Sequence, residues 1–347
     1  MLSERPEDSR PGAIAHSDQV GTTMSRLAAK YIAVPLREIQ IANARLLEPV
    51  SAEERGRTPG VTAQFLEDAR QYHDRYTSHG YFRVLIEAAL ARCGVGSASS
   101  VLDLGSGSGN SVVPSLALFP EAEFVAIDIS PQLLAMLRTY VDKTPRDGQR
   151  VLTVCMDAAS DVYVAGSFDL CIGAAILHHM MDPQKVVSAA IHALKPGGYG
   201  IFFEPFEGGN AILRLAYLRI LGSRRAVLLR RSVRVLLERM VRDFEVRMDT
   251  PWSDPIFATL DDKWMFTRTF FHDLASRVGA TSVAIHPLHQ LNRPFAAQTE
   301  YNLLLGAGLE PRELPSWAWR IIGELDERLS ARVKGDLLIE GCVAFRK

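Results

Sequence analysis

The stretch Val101–Asn110, VLDLGSGSGN, decides how this chain folds, because it joins an apolar run to a loop of alternating glycines. The apolar run is typical of a buried strand and ends at Asp103, after which Gly105, Gly107 and Gly109 follow. Glycine loops of this kind commonly bind phosphate at the start of the next helix. A carboxylate would repel a phosphate, and the GxGxG spacing departs from the dinucleotide motif GxGxxG. The loop therefore favours a ligand that carries positive charge.

Short apolar runs alternate with helical patterns along the rest of the chain, which is typical of a parallel sheet covered by helices. The predicted strands are SVLDLG, EFVAID, RVLTVCMD, FDLCIGAA, YGIFFEP, TSVAIHPL and LLIEGCVAFR. Ahead of them, apolar residues recur at helical spacing over about 23–47 and 62–93, with a break near residues 78–80. The pattern predicts an α/β fold that begins with helices.

Two more carboxylates end the next predicted strands. Asp128 closes VAID, 25 residues after Asp103, and can accept hydrogen bonds from both hydroxyls of a ribose. Asp157 closes VCMD and can accept a hydrogen bond from an adenine amino group. Because the carboxyl ends of parallel strands meet along one crevice, we expect the three acids to line one site. S-Adenosylmethionine fits such a site, since it joins a nucleoside to a sulfonium and an α-ammonium group.

The ordered set VLDLGSGSG, VAIDIS, CMDAA, FDLCIGAAILHHMMDP and ALKPGGYGIFFEP resembles the class I S-adenosylmethionine-dependent methyltransferases, in particular their small-molecule branch. The resemblance is strong over about 99–205. It implies a doubly wound, Rossmann-like, seven-stranded and mostly parallel sheet with one antiparallel strand. It also implies that the cofactor contacts residues of the strand-end loops, namely Asp103, Gly105, Gly107, Asp128, Ile129, Asp157 and Ala158, with Ala174 nearby. Gly109 belongs to the same glycine loop.

We divide the chain into four segments. Residues 1–95 form an N-terminal helical arm and cap, 96–205 the cofactor-binding core, 206–268 an inserted helical lid, and 269–347 the C-terminal part of the core. Between Asn210 and Arg247 the lid carries ten arginines against three acidic residues. Such a surface is either a solvated outer face or a basic lid over an anionic substrate.

The candidate catalytic residues follow predicted strands four and five. Methyl transfer is an in-line displacement at a sulfonium carbon, and a base assists when the acceptor is a hydroxyl or an acidic carbon. His178 and His179 stand where such a base is needed, and adjacent residues point apart, so at most one serves. Either could instead hold the loop in place. Glu204 could orient an acceptor, bind a cation or accept hydrogen bonds from a loop. Tyr76, from the segment RQYHDRYTSHGYF, could touch the cofactor or simply pack.

Composition and charge indicate which kinds of substrate and partner this protein binds. The 347 residues carry a net charge of −1 without a basic-aromatic repeat, so we expect a small-molecule substrate and no nucleic acid. No apolar run is long enough to span a bilayer, and the polar N-terminus does not look like a signal peptide. The four cysteines form no metal-binding or redox motif, so we expect reduced thiols in the cytoplasm and no metal site. The helical N-terminal region and the basic insertion could mediate a homodimer.

The leading hypothesis is therefore an enzyme that moves a methyl group from S-adenosylmethionine to oxygen, carbon or nitrogen of a small molecule, with S-adenosylhomocysteine as product. The setting we expect is specialised metabolism. The alternative is an S-adenosylmethionine-binding protein that catalyses a cyclisation or rearrangement without transferring the methyl group. A third hypothesis, an NAD-dependent oxidoreductase, conflicts with Asp103 and with the glycine spacing.

Overall fold

The computed structural model describes residues 23–52, 67–288 and 290–347. The strands in these ranges are β1 (Leu36–Ile41), β2 (Ala44–Pro49), β3 (Ser100–Leu104), β4 (Glu123–Asp128), β5 (Val151–Cys155), β6 (Phe168–Ala174), β7 (Leu194–Pro205), β8 (Ser282–Pro287) and β9 (Glu340–Arg346). The α-helices are α1 (23–31), α2 (Ala69–Tyr76), α3 (His79–Cys93), α4 (Val112–Leu118), α5 (Pro131–Val141), α6 (Pro145–Arg150), α7 (Pro183–Ala193), α8 (Glu207–Leu221), α9 (Arg231–Asp249), α10 (Arg268–Val278), α11 (Pro294–Ala307), α12 (Ser316–Arg328) and α13 (Ala331–Leu337).

All nine strands form one sheet in the order β1-β2-β5-β4-β3-β6-β7-β9-β8. The predicted Rossmann-like fold class is confirmed, with parallel pairing from β5 to β7 and the antiparallel β9 between β7 and β8. Strand order reverses on the two sides of β3, where Asp103 is paired with Ala126 of β4 and Ile172 of β6. This reversal places the ligand crevice of an open parallel sheet at the carboxyl end of β3.

Two strands were missed by the sequence prediction. The helix predicted over 23–47 ends at residue 31, and β1 and β2 follow as an antiparallel hairpin. Pro35 cannot continue a helix, and in the strand after it the apolar Leu36, Ile39 and Ile41 are half-buried while the polar residues are exposed, as in a strand with one solvated face. Because β2 lies parallel to β5, the hairpin extends the expected seven strands to nine. Of the second predicted helical region, residues 62–66 lie outside the described residues, and the rest forms α2 and α3.

The core has three parts. Alternating residues of β3 and β4 pack on opposite faces of the sheet: Leu102 and Val125 belong to one apolar cluster, Val101 and Phe124 to the other. A third cluster joins α8 and α9 to α11 and α12, so the helical layer draws on residues 294–328 as well as on the insertion. None of the helices in the described ranges is both long and apolar enough to cross a lipid bilayer.

Candidate functional site

The glycine loop after β3 is held open by its backbone. Gly105 and Gly107 have φ values of +68° and +51°, a conformation that disfavours residues with a side chain. The Ser106 amide donates to the Ile127 carbonyl at 2.8 Å, and the Gly107 amide donates to Asp128 Oδ2 at 2.7 Å. A Cβ atom built on Gly107 meets no described atom within 4 Å, whereas one on Gly105 meets Ile176 at 2.5 Å. Gly107 therefore faces open space that a ligand can fill.

Asp103 is the most unusual carboxylate of the site. Its side chain is 1% exposed, and neither carboxylate oxygen has a hydrogen-bond partner among the described residues. Burial raises its pKa from 3.8 to about 7, and the charge of Asp128 adds to the shift. The nearby hydroxyls of Ser111 and Ser106 oppose it, although the Ser106 hydroxyl donates to the Asp103 backbone carbonyl at 3.0 Å rather than to the carboxylate. A buried carboxylate without donors is costly unless a cation compensates it. The predicted cofactor fits this site, because it carries cationic groups beside its nucleoside.

Asp128 and Asp157 differ from Asp103 because they accept hydrogen bonds from their own loops. Asp128 accepts from the amides of Gly107 and Ser130, at 2.7 and 2.8 Å, and Asp157 accepts from the Ala159 amide at 2.8 Å. Burial raises the pKa of both groups, that of Asp128 to about 6. Each carboxylate keeps lone pairs for further donors, since two oxygens offer about four acceptor sites.

The remaining predicted cofactor residues lie around the same edge. Ile129 follows Asp128, Ala174 ends β6, and Ala158 is 5% exposed in the core. Gly109 has φ +107°, and a Cβ atom built there would lie 2.8 Å from the Leu137 side chain. Side chains of the protein therefore fill the space beside Gly109, and no ligand can enter there.

Asn110 ties the glycine loop to the helices ahead of the sheet. Its side-chain amide donates to the Tyr76 carbonyl at 3.1 Å, and its oxygen accepts from the Ser78 amide at 2.9 Å. The end of α2 is thereby fixed beside the glycine loop. The Tyr76 ring packs on Tyr72 at 4.8 Å, and burial raises the pKa of the Tyr72 hydroxyl, with Asp128 adding to the shift.

His178 and Glu204 form a buried pair. The Glu204 carboxylate is 0% exposed and accepts the amides of Ile176, Leu177 and His178 at 2.8–3.2 Å. The His178 Nδ1 atom donates to Glu204 Oε2 at 2.7 Å. Burial lowers the pKa of His178, but the charge and hydrogen bond of Glu204, with Asp262, outweigh it and raise the pKa overall. Glu204 thus accepts four hydrogen bonds, and these fix both the turn Leu177–His179 and the His178 imidazole.

The inserted segment supplies an acid that the sequence analysis did not single out. Asp262 Oδ1 lies 3.7 Å from His178 Nε2 and 3.4 Å from His179 Nδ1, and Asp262 Oδ2 lies 3.8 Å from an Arg247 nitrogen. The His178 carbonyl accepts the Lys263 amide at 2.7 Å, which fixes this loop beside the histidines. No periodicity or spacing in the sequence links residue 262 to residue 178. The contact depends on how the insertion folds back.

The electrostatics of His179 differ from those of its neighbour. Burial lowers the pKa of His179 to about 3, and the charge of His178 adds to this effect. Its Nδ1 atom also lies 3.0 Å from the Asp261 carbonyl oxygen. The pKa of Asp262 is lowered to about 2, because the neighbouring His178 and His179 outweigh the effect of burial.

Several arginines of the insertion join it to other helices and loops. Arg219 of α8 pairs with Glu324 of α12 at 2.9 Å, Arg230 pairs with Glu313 at 2.8 Å, and Arg239 donates to the Gly306 carbonyl. These contacts favour the solvated-face interpretation. Arg247 differs, because it is 9% exposed and lies beside Asp262.

Two tryptophans pack behind the histidine turn. Trp252 and Trp264 stack with ring centroids 4.4 Å apart, and Trp264 Nε1 donates to the Met180 carbonyl at 2.6 Å. Trp264 is 1% exposed and anchors the core, whereas Trp252 is 43% exposed. An apolar wall therefore stands next to the polar cluster.

Comparison with known proteins gives a family match at the same place. Residues 101–198 match a family described as a methyltransferase domain. The chain is 34% identical over 118 residues to an uncharacterised protein of Synechococcus sp., covering 33% of this chain and 27% of the relative. It is 28% identical over 147 residues to the malonyl-[acyl-carrier protein] O-methyltransferase of Marinomonas sp., covering 42% of this chain and 52% of the relative. The chain thus spans about half or less of the length of these two relatives.

Among solved structures, the plantazolicin methyltransferase BamL, in complex with a triazolic desmethylPZN analogue and SAH, has a TM-score of 0.45 at 16% identity. That alignment covers 85% of this chain and 97% of BamL. The family match confirms the methyltransferase resemblance for residues 101–198, and with it the class of cofactor predicted from the sequence.

Proposed function

We propose that this chain, which contains a class I S-adenosylmethionine-dependent methyltransferase domain at residues 101–198, transfers a methyl group from that cofactor to a small-molecule acceptor. The observation that carries the proposal is Asp103, a buried carboxylate without a partner among the described residues, next to glycines that leave space for a ligand. A cationic nucleoside derivative would compensate the negative charge of Asp103 and fill the open space beside Gly107. A dinucleotide would instead place phosphate beside this carboxylate.

The cofactor residues follow from the positions of the three acids. Asp103 attracts the cationic end of S-adenosylmethionine, Asp128 accepts the ribose hydroxyls, and Asp157 accepts the adenine amino group. Gly105 and Gly107 allow the backbone to approach the ligand. The remaining predicted contacts, from Ile129, Ala158, Ala174 and Tyr76, stay predictions.

The acceptor is proposed to bind beside the turn Leu177–His179, between the histidines and the inserted segment. The sulfonium is already an activated leaving group, so the protein mainly aligns the acceptor's nucleophilic atom with the methyl group and excludes water. The carboxylates and imidazoles gathered there favour an acceptor whose nucleophilic atom carries a removable proton. An anionic acceptor would meet Arg247, the buried arginine of the insertion.

The four cysteines lie in the described residues and are free thiols, which suits the reducing cytoplasm that we propose as the location. Specialised metabolism and a homodimer remain predictions.

Mass spectrometry of a metabolite extract incubated with protein and S-adenosylmethionine labelled by deuterium in the methyl group tests the proposal. We expect a product in which the labelled methyl replaces a hydrogen, together with S-adenosylhomocysteine. At a limiting concentration of S-adenosylmethionine, the variant Asp103→Asn should form much less of both. The matched control Asp326→Asn should form both, because Asp326 accepts the amides of Phe295 and Ala296 in the helical layer, outside the proposed site. A product of unchanged mass would indicate the non-methylating alternative, and a protein that binds NAD but no sulfonium would refute the proposal.

A further inference from the structure

We propose that His178, His179 and Asp262 bind a divalent transition-metal ion, although the sequence analysis led us to expect no metal site. One ligand atom from each residue lies within 4.8 Å of the others. Asp262 Oδ1 is 3.7 Å from His178 Nε2 and 3.4 Å from His179 Nδ1. Nitrogen and oxygen ligands lie about 2.0 to 2.2 Å from zinc, so neighbouring ligands of a tetrahedral site are about 3.4 Å apart. The two distances from Asp262 Oδ1 are already close to that spacing.

The hydrogen bond on the far side of His178 is an independent argument for a metal. His178 Nδ1 donates to the buried Glu204 carboxylate at 2.7 Å, and three backbone amides hold that carboxylate in place. Metal-binding histidines commonly donate their second ring N–H to a carboxylate, which fixes the tautomer and turns the other nitrogen toward the ion. Glu204 is therefore a positioning residue, and it leaves His178 Nε2 to face Asp262.

The surroundings of Asp262 and His179 complete the site. The Arg247 guanidinium lies 3.8 Å from Asp262 Oδ2, on the oxygen that does not face the histidines, so Oδ1 is directed at the imidazoles. His179 Nδ1 donates to the Asp261 carbonyl oxygen at 3.0 Å, so an ion that binds this nitrogen replaces its proton, and the carbonyl then offers a further oxygen close to the ion. The Asp262 side chain is 56% exposed, which gives an ion a path from solvent.

The role of the metal ion in methyl transfer rests on the proposed function. Binding of the ion to the three residues does not depend on it. Three protein ligands leave a position for an acceptor hydroxyl, whose pKa the ion lowers. The hydroxyl releases its proton to solvent, and its oxygen then bonds to the methyl carbon of S-adenosylmethionine. The carbon–sulfur bond breaks with its electron pair staying on sulfur, which gives S-adenosylhomocysteine. This route takes the place of proton removal by an imidazole, because both would use the same nitrogen of His178.

Titration of the chelator-treated full chain with Co²⁺, followed by visible absorption, tests the site. Co²⁺ is chosen because its spectrum reports nitrogen and oxygen ligands directly. We expect one equivalent to bind, and Zn²⁺ to displace it. Asp262→Asn and His179→Ala should each weaken binding at least about tenfold, and Glu204→Gln should weaken it about ten- to a hundredfold.

The matched control is His192→Ala. His192 Nδ1 lies 2.7 Å from Asp161 on the surface, so this pair resembles the site but is not in the three-residue cluster. Binding by the control should equal that of the wild type. Calorimetric binding of S-adenosylmethionine to Asp262→Asn and His179→Ala reports that these variants are folded.

Two results would overturn the inference: wild-type affinity for Co²⁺ equal to that of Asp262→Asn, or equal loss of binding in His192→Ala. If the chelated enzyme methylates its acceptor at an unchanged rate, the activating role is refuted and proton removal passes to the imidazole. If Co²⁺ binds in the expected way but S-adenosylmethionine does not, the proposed function fails and the metal site stands.

Discussion

Replacement of Asp103 by asparagine should stabilise the protein without ligand and weaken its binding of S-adenosylmethionine. Burial raises the Asp103 pKa from 3.8 to about 7. One pKa unit corresponds to about 1.4 kcal/mol, so the ionised carboxylate costs the folded state roughly 4 kcal/mol at pH 8. The asparagine amide is itself buried and costs about 1–3 kcal/mol where it lacks partners. The expected net gain in unfolding free energy at pH 8 is therefore about 1–3 kcal/mol.

The sign of the effect depends on pH. Below about pH 4 the carboxyl group is protonated in both the folded and the unfolded state, so its ionisation contributes nothing. As pH rises from 4 to 7 the unfolded chain loses this proton first, and the folded state becomes less favourable. Above pH 7 the full cost is present. The advantage of Asp103→Asn should therefore grow between pH 5 and pH 8.

Urea unfolding at pH 5 and pH 8 measures the stability change, and calorimetry measures the cofactor. A cation beside Asp103 lowers its pKa, so binding of S-adenosylmethionine to the wild type should release a proton near pH 7. The heat of binding should then differ between phosphate and Tris buffers. The asparagine variant should lose this difference and bind at least about tenfold more weakly. A variant that is less stable at pH 8 and binds with unchanged affinity would refute the electrostatic argument.

Four further substitutions test other contacts. Glu204→Gln leaves a buried amide facing backbone N–H groups, so urea unfolding should show a loss of about 2–4 kcal/mol, and a loss below 1 kcal/mol would contradict the contacts. Gly105→Ala should destabilise the fold by more than 1 kcal/mol through its contact with Ile176, whereas Gly107→Ala should cost about 1 kcal/mol for its positive φ and chiefly weaken cofactor binding. Equal losses of stability would refute this difference. The Glu123 pKa is lowered to about 2, because Lys30, Tyr31 and Arg26 outweigh burial. Its contribution of about 1–3 kcal/mol should be present above pH 4.5 and be lost as pH falls through 2. Glu123→Gln should therefore flatten the acid limb of a pH–stability curve, and an unchanged limb would contradict it.

The part of the fold that sequence could predict is the part in which local pattern and packing agree. Apolar runs such as VLDL are buried on both faces of the sheet, so their composition alone marks them as central strands. The hairpin β1–β2 was missed because one of its faces is solvated and its few apolar residues also fit helical spacing. Pro35 fits either a break or a kink in a helical pattern; in the structure the helix ends at residue 31, and β1 begins directly after the proline.

The same limit applies to the site. Asp103, Asp128 and Asp157 each end a strand, so the strand pattern itself brings them to one edge of the sheet. Asp262 lies in a loop of the insertion, and this loop is held beside His178 by the Lys263 and Trp264 amides, which donate to the His178 carbonyl. Contacts of this kind depend on the path of an irregular loop, and residue spacing carries no information about them.

Asp103 and Glu204 show why residue type alone cannot assign a role. Both are buried acids near the carboxyl ends of strands, Asp103 in β3 and Glu204 in β7. Glu204 accepts four hydrogen bonds from its own chain, so the fold depends on its charge. The Asp103 carboxylate oxygens have no hydrogen-bond partner among the described residues, so the negative charge destabilises the folded state unless a cation binds beside it. Changing each carboxylate to its amide should therefore shift stability in opposite directions at pH 8. Shifts of the same sign would remove the physical reason for treating Glu204 as a positioning residue and Asp103 as a cofactor ligand.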